Sequence, residues 1–87
     1  MYEPEFDPDW EGYFERLPNE IKPRIAKKMR QMLRGLPGRH LRKGLPYFVE
    51  EVGQYRITYR SFEDRQGRRF YFVGNHKDYE AWYSGKN

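Results

Sequence analysis

Apolar residues recur at helical spacing through the first third of the chain and at a spacing of two beyond residue 46, and this change of period divides the sequence into elements. Trp10, Tyr13, Phe14 and Leu17 fall at i, i+3, i+4 and i+7, the stripe that one face of a helix buries. Asp7 and Pro8 supply a helix start, as N-cap and first helical residue, and Pro18 closes the segment. Asn19 is placed to cap a second helix running to about residue 34, with Pro23 tolerable near its first turn and Gly35 ending it. Ile21, Ile25, Met29, Met32, Leu33 and Leu36 share an arc of roughly 120° at 100° per residue. Arg24, Lys27, Lys28, Arg30, Gln31 and Arg34 take the other side, so this helix is amphipathic with a cationic outer face.

After the basic loop 37–46 the period becomes two. Tyr55, Ile57 and Tyr59 alternate with Arg56, Thr58 and Arg60, the pattern of a strand buried on one face. Residues 47–52 form the strand before it, and Gly53-Gln54 suits a two-residue hairpin with glycine at the first turn position. That turn sets Val52 opposite Tyr55, Glu51 opposite Arg56, Glu50 opposite Ile57 and Val49 opposite Thr58. Opposed residues share a face, so Arg56, Arg60, Glu51 and Val49 point away from the core. A third strand, residues 69–73, returns after the turn region 64–67, and Gly74 releases the chain into 75–83, a short C-terminal helical segment. The predicted class is α+β: two N-terminal helices packed on one face of a small antiparallel meander. Residues 1–87 make one domain with an acidic tail over 1–7, because a chain of 87 residues has room for a single core.

Composition narrows the chemistry. The apolar share of 37% is low, but eight Tyr, six Phe and two Trp supply core area. Without cysteine there is no disulfide framework or thiolate zinc site, and two histidines do not build a metal centre; neither a metal nor a cofactor is expected. Apolar runs of a few residues and a mean hydropathy of −1.17 leave nothing to span a bilayer. The opening MYEPEFDPDW is acidic and aromatic where a secretion signal is basic and then apolar, so a cytoplasmic location is expected. Charge is segregated: residues 1–20 carry −6, residues 21–49 carry +9 and residues 50–87 carry +1. A basic block of this kind faces a polyanion or forms a solvated helix face.

The outer sheet face collects Arg56, Arg60 and Glu51, and the third strand delivers Asn75, His76 and Lys77 at its end. RNA carries its own nucleophile, the 2′-OH, so cleavage needs a base for that proton, cations for the phosphate and an acid for the leaving 5′-oxygen. Glu51 or Glu50, Arg56 with Lys77, and His76 fit those roles without metal. The structural alternative is a cross-strand ion pair between Glu51 and Arg56, a loop histidine and a solvated lysine.

The strings LRKGLPYFVEEVGQYRITYR (residues 41–60) and FVGNHKDYEAWY (72–83), preceded by a helical hairpin containing LPNEIKPRIAKKMRQML (17–33), resemble the RelE/ParE toxin superfamily of prokaryotic toxin-antitoxin systems. The resemblance covers about residues 9–83, and its most specific element is Gly-x-Tyr-Arg at Gly53, Gln54, Tyr55 and Arg56. It implies a compact α+β toxin neutralised by a cognate antitoxin that wraps a helix or strand over its surface. RelE-like members cut mRNA in the ribosomal A site, and ParE-like members inhibit DNA gyrase without nuclease chemistry. By position Arg56 matches the family's phosphate-binding arginine, His76 falls where members place a catalytic arginine or histidine, and Tyr79, Trp82 or Tyr83 matches a base-stacking aromatic, Tyr83 being taken for the site. The first strand departs from the pattern, with Val49, Glu50 and Glu51 where RelE-like nucleases present Lys or Arg; some members use Glu with His as base and acid.

The expected site is therefore Glu51, Arg56, His76, Lys77 and Tyr83. Lys27, Lys28, Arg34, Arg39, Arg42, Lys43 and Arg60, with His40 in the same basic loop, are the expected contacts to ribosomal RNA and mRNA, or to an acidic antitoxin segment. The acidic tail has a third use, lying against the basic block. A ribosome-dependent endoribonuclease, a noncatalytic gyrase inhibitor and a non-toxic RNA- or partner-binding domain all remain open on the sequence.

Overall fold

The computed structural model describes residues 1–35, 39–40 and 46–85, with the side chains of Arg39 and His40 set aside. Its elements are β1 (Glu3–Phe6), α1 (Trp10–Glu15), α2 (Lys22–Leu33), β2 (Arg39–His40), β3 (Phe48–Val52), β4 (Tyr55–Phe62), β5 (Gly67–Asn75) and α3 (His76–Ser84). Five strands form one sheet in the order β1-β5-β4-β3-β2, antiparallel except that β1 runs parallel to β5. Leu36, placed above on the apolar arc of the second helix, and the loop residues Arg42 and Lys43 lie outside the described residues.

The β3–β4 hairpin has the expected register, Val52 opposite Tyr55 through Val49 opposite Thr58. Gly53 at φ 59° opens its turn in the left-handed region that glycine reaches without strain. Alternation then separates two faces. Ile57, Tyr59, Phe70 and Val73 join Trp10 and Leu17 from the α1 segment, and Ile25 and Met32 from α2, in one buried cluster. Arg56, Thr58 and Arg60 face the other way, across from Gly74, Phe72 and Arg69.

Several boundaries differ from expectation. α1 begins at Trp10 with Asp9 as N-cap, and Asp7 instead folds a turn whose side chain accepts from the Asp9 N–H at 3.1 Å. α2 begins at Lys22, which places Pro23 in its first turn. Residues 75–83 lie in a capped helix, the Asn75 side chain accepting from the Asp78 N–H at 2.8 Å. The meander gains a short strand at each edge, and the larger correction is the tail over 1–7. Glu3–Phe6 pairs with β5, and Glu5 and the following Asp7 meet arginines of the β4–β5 hairpin; among the described residues neither is paired with the basic block of residues 21–49. Glu5 takes a bidentate pair from Arg65 at 2.8 and 2.9 Å and lies 4.0 Å from Arg69, which is 4.0 Å from Asp7.

The chain start is fastened a second way. Arg68, 6% exposed, donates from Nη1 to the Met32 carbonyl at 2.7 Å and from Nε to Ser61 Oγ at 3.2 Å. Its guanidinium lies 4.0 Å from the centroid of the Tyr2 ring, and the Tyr2 N–H donates to the Leu33 carbonyl at 2.7 Å. At the end of α2 the Met32 carbonyl thus accepts from the Gly35 N–H and from a cation at the negative end of the helix dipole, and the Leu33 carbonyl is taken by the N-terminal strap.

Two outcomes follow from this packing. Ile57→Ala removes a fully buried side chain between sheet and helices and is expected to cost about 2–5 kcal/mol in urea unfolding; an unchanged midpoint would put Ile57 on the wrong face. The Glu5 carboxyl is held below its ordinary 4.5 chiefly by the hydrogen bond from Arg65, and Glu63 below 4.5 by hydrogen bonds from Ser61 and Tyr2. A depressed folded value means that their contribution is complete above about pH 4.5 and fades as pH falls through the lowered values. Amide NMR shifts of residues 2–7 should move in that acid window before those of β3 and β4; simultaneous movement would contradict a separately fastened strand.

Candidate active site

The hairpin register places Glu51 and Arg56 side by side on the outer face, and the carboxylate Oε2 lies 3.7 Å from Arg56 Nε. That separation is longer than a hydrogen bond, which makes the pair a loose one. Arg56 is only 20% exposed because α3 folds back over this side of the sheet, setting the Tyr79 ring 5.7 Å from the guanidinium carbon. Tyr79 in turn stacks on Tyr83, with centroids 6.2 Å apart and planes at 15°, and meets the His76 ring at 6.5 Å. His76 Nε2 lies 3.2 Å from Glu80 Oε2, one helical turn on. A carboxylate, a guanidinium, two phenols and an imidazole thus follow one another in a chain of contacts that passes through Tyr79.

The close approach of α3 depends on Gly74. A side chain there would bring its Cβ to 2.7 Å from Phe72 Cζ and 3.3 Å from Asp78 Cβ. Phe72 cannot easily yield, being 2% exposed and packed against Trp82 and Tyr13 at 5.5 and 4.9 Å between centroids. The outer face, expected to be open, therefore carries a small aromatic core of its own under α3.

Of the expected site residues, Glu51 lies beside Arg56, and His76 and Tyr83 connect to the arginine through Tyr79, which rather than Tyr83 lies against it. Lys77 is exposed on the first turn of α3. Glu50 lies on the core face opposite Ile57, with Oε2 buried and unpartnered among the described residues, so Glu51 is the carboxylate beside Arg56. Burial pushes the neighbouring Tyr59 hydroxyl above its ordinary 10, with Glu50 adding to that direction against Arg68. Glu80 was not foreseen, although its i,i+4 spacing from His76 becomes a signal once the segment is known to be helical.

The expected RNA contacts divide. Lys27 and Lys28 line a groove of about 260 Å³ with Arg24, Gln31 and Val52, between α2 and the β3–β4 hairpin. Arg34 is exposed at the C-cap of α2. Arg60 stands on the outer face with Arg56, while Arg39 is placed through its backbone alone, in β2 opposite Val49. A cleft of about 740 Å³, lined by Tyr13, Arg16, Tyr55, Asn75, Asp78 and Trp82 among others, borders neither Arg56 nor His76. Among the described residues, no group of three or more His, Asp or Glu could hold a metal ion, and no helix is long and apolar enough to cross a membrane.

Gly74→Ala should cost about 1–3 kcal/mol through overpacking and lift Tyr79 away from Arg56. Near-UV circular dichroism and thermal unfolding would register both effects; wild-type spectra and midpoint would show that α3 has room to spare.

No protein-family model matches the sequence, and no curated protein does either. Solved structures do. The isolated RelE toxin of E. coli superposes with a TM-score of 0.75 at 17% identity, over 97% of this chain and 98% of that one. The toxin-antitoxin complex RelBE2 of Mycobacterium tuberculosis gives 0.77 at 22% identity, over 86% and 91%. The RelB-RelE antitoxin-toxin complex of Methanococcus jannaschii gives 0.71 at 18%, over 90% and 96%. Over most of its length this chain has the fold of the RelE toxins.

Proposed function

We propose that the protein is the toxin of a toxin-antitoxin pair and that it cuts mRNA on the ribosome by 2′-OH attack, without a metal. The observation that carries this reading is the cluster around Tyr79: Glu51 and His76 are a candidate base and acid, and Arg56 lies between the carboxylate and the ring. In the step itself Glu51 takes the 2′-OH proton as the 2′-oxygen bonds to phosphorus. Arg56 moves from the loose carboxylate contact to the phosphate oxygens as their charge grows, and His76 protonates the departing 5′-oxygen. The products are a 2′,3′-cyclic phosphate and a 5′-hydroxyl. Tyr79, backed by Tyr83, offers a stacking surface for a base.

The distribution of cations supports a ribosomal setting. The α2 groove with Arg24, Lys27 and Lys28 and the outer face with Arg56 and Arg60 lie on opposite sides of the sheet, so phosphates on both sides suit a protein enclosed by RNA. The fold shared with toxins solved together with their antitoxins supports a cognate antitoxin as partner. One observation favours the gyrase-inhibitor reading instead: β3, Phe48–Val52, brings no cation to the site.

His76→Gln should lower cleavage of mRNA on purified programmed ribosomes by about 10²–10⁴ with ribosome binding nearly unchanged. Arg56→Ala should abolish cleavage in a folded protein, since its loose 3.7 Å contact with the more exposed Glu51 is worth under about 1 kcal/mol. Cleavage by His76→Gln, Glu51→Gln and Arg56→Ala at the wild-type rate would remove the cluster from the chemistry. A wild-type protein that leaves mRNA whole and blocks gyrase supercoiling would replace the nuclease by the inhibitor.

A further inference from the structure

The outer face continues past the Arg56 cluster into a second group of cations and rings. Arg60 and Arg69 stand directly opposite each other across β4 and β5, a like-charge placement that disfavours folding. Arg69 is offset by Glu5 and Asp7, and Arg65 by Glu5. Arg60 has no carboxylate within 4.0 Å among the described residues; its guanidinium is held 4.8 Å from the centroid of the Phe62 ring, which leaves N–H edges for another anion. Between the two groups the register shifts by one residue at Thr58/Tyr59, and such a bulge re-aims the side chains beside it. Here Tyr71 lies 5.7 Å from the Arg69 guanidinium and meets Tyr47 edge-on at 5.1 Å; Tyr47 meets Trp82 of α3 at the same distance. Tyr47 and Tyr71 are both partly exposed.

From this arrangement we infer that the outer face is a track for single-stranded RNA, running from the scissile phosphate at Arg56 across Tyr47 and Tyr71 to a second phosphate at Arg60. Four residues of strand separate the two arginines, about 13 Å, or about two nucleotides of extended chain. Alternating cations and aromatic surfaces are what an extended single strand engages, through its phosphates and the faces of its bases. An acidic peptide would use the cations but leave the rings without a role. The track rests on the nuclease reading and adds to it a contact that holds the message beside the cut instead of cutting it.

Fluorescence anisotropy with uniformly 2′-O-methylated RNA, which cannot be cleaved, separates the two claims. Wild type should bind a heptanucleotide more tightly than a trinucleotide. Arg60→Gln should weaken the heptanucleotide about 3- to 10-fold and lower its salt slope by about 0.7, the share of one phosphate on a single strand, with the trinucleotide unaffected. Phe62→Leu, which removes the ring under Arg60, should move the heptanucleotide in the same direction, with thermal unfolding to verify that each variant is folded. Folded variants that bind both lengths like wild type, from a protein that still cuts mRNA on ribosomes, would overturn the track and leave the nuclease reading standing. A wild type that binds neither length and does not cut would overturn both.

Discussion

The buried guanidinium of Arg68 is the contact on which the arrangement of the other elements depends. Taking a charge out of water costs several kcal/mol unless hydrogen bonds and opposing dipoles replace the lost solvation. Here the last turn of α2 supplies a carbonyl and a negative dipole end, Ser61 of β4 supplies a hydroxyl oxygen, and the Tyr2 and Tyr59 rings lie 4.0 and 5.4 Å away. One side chain of β5 thereby fixes the helix above the sheet, the neighbouring strand and the start of the chain. The same strand ends at Asn75, whose side chain caps α3, so the element anchored by Arg68 also delivers His76 and Tyr79 to the site.

With that frame in place the sheet works as a partition. One face is a conventional core of Ile25, Met32, Ile57, Tyr59, Phe70 and Val73 under α1 and α2. The other is sealed by aromatic rings around Phe72 and Trp82 and keeps Arg56 and Arg60 at its margins. Acidic residues are placed so that cations needed for structure are neutralised at home: Glu5 and Asp7 hold Arg65 and Arg69, and Glu15 holds Lys22. Arg60, among the described residues, has no such carboxylate and lies over the Phe62 ring.

The sequence disclosed what local physics decides. A glycine at the first position of a two-residue turn fixes the hairpin register, and from that register alone Glu51 meets Arg56. The helices were visible as apolar stripes, although their starts were displaced by two residues because the side chains of Asp7 and Asn19 do not cap the first turns. The strand β1 was hidden. Four residues containing a proline and two glutamates have little strand propensity, and the arginine that fixes them is sixty positions away. The same distance effect hid which of the three candidate aromatics meets Arg56: Tyr79 does so where α3 lies close against Phe72, an approach for which Gly74 leaves room. The end of the third strand and the resemblance to the RelE/ParE toxins both pointed to His76, and only the helix showed its Glu80 neighbour.

The central claim is a chemical one, that Glu51, Arg56 and His76 cleave RNA through its own 2′-hydroxyl. The most direct measurement is the end chemistry of mRNA fragments made by the purified protein on programmed ribosomes, in a reaction whose magnesium is replaced after assembly by a polyamine and chelator. Cleavage by 2′-OH attack should leave upstream fragments ending in 2′,3′-cyclic phosphate and downstream fragments beginning with 5′-hydroxyl. Fragments ending in 3′-hydroxyl and beginning with 5′-phosphate, or cleavage that stops when the metal is withdrawn from intact ribosomes, would contradict it.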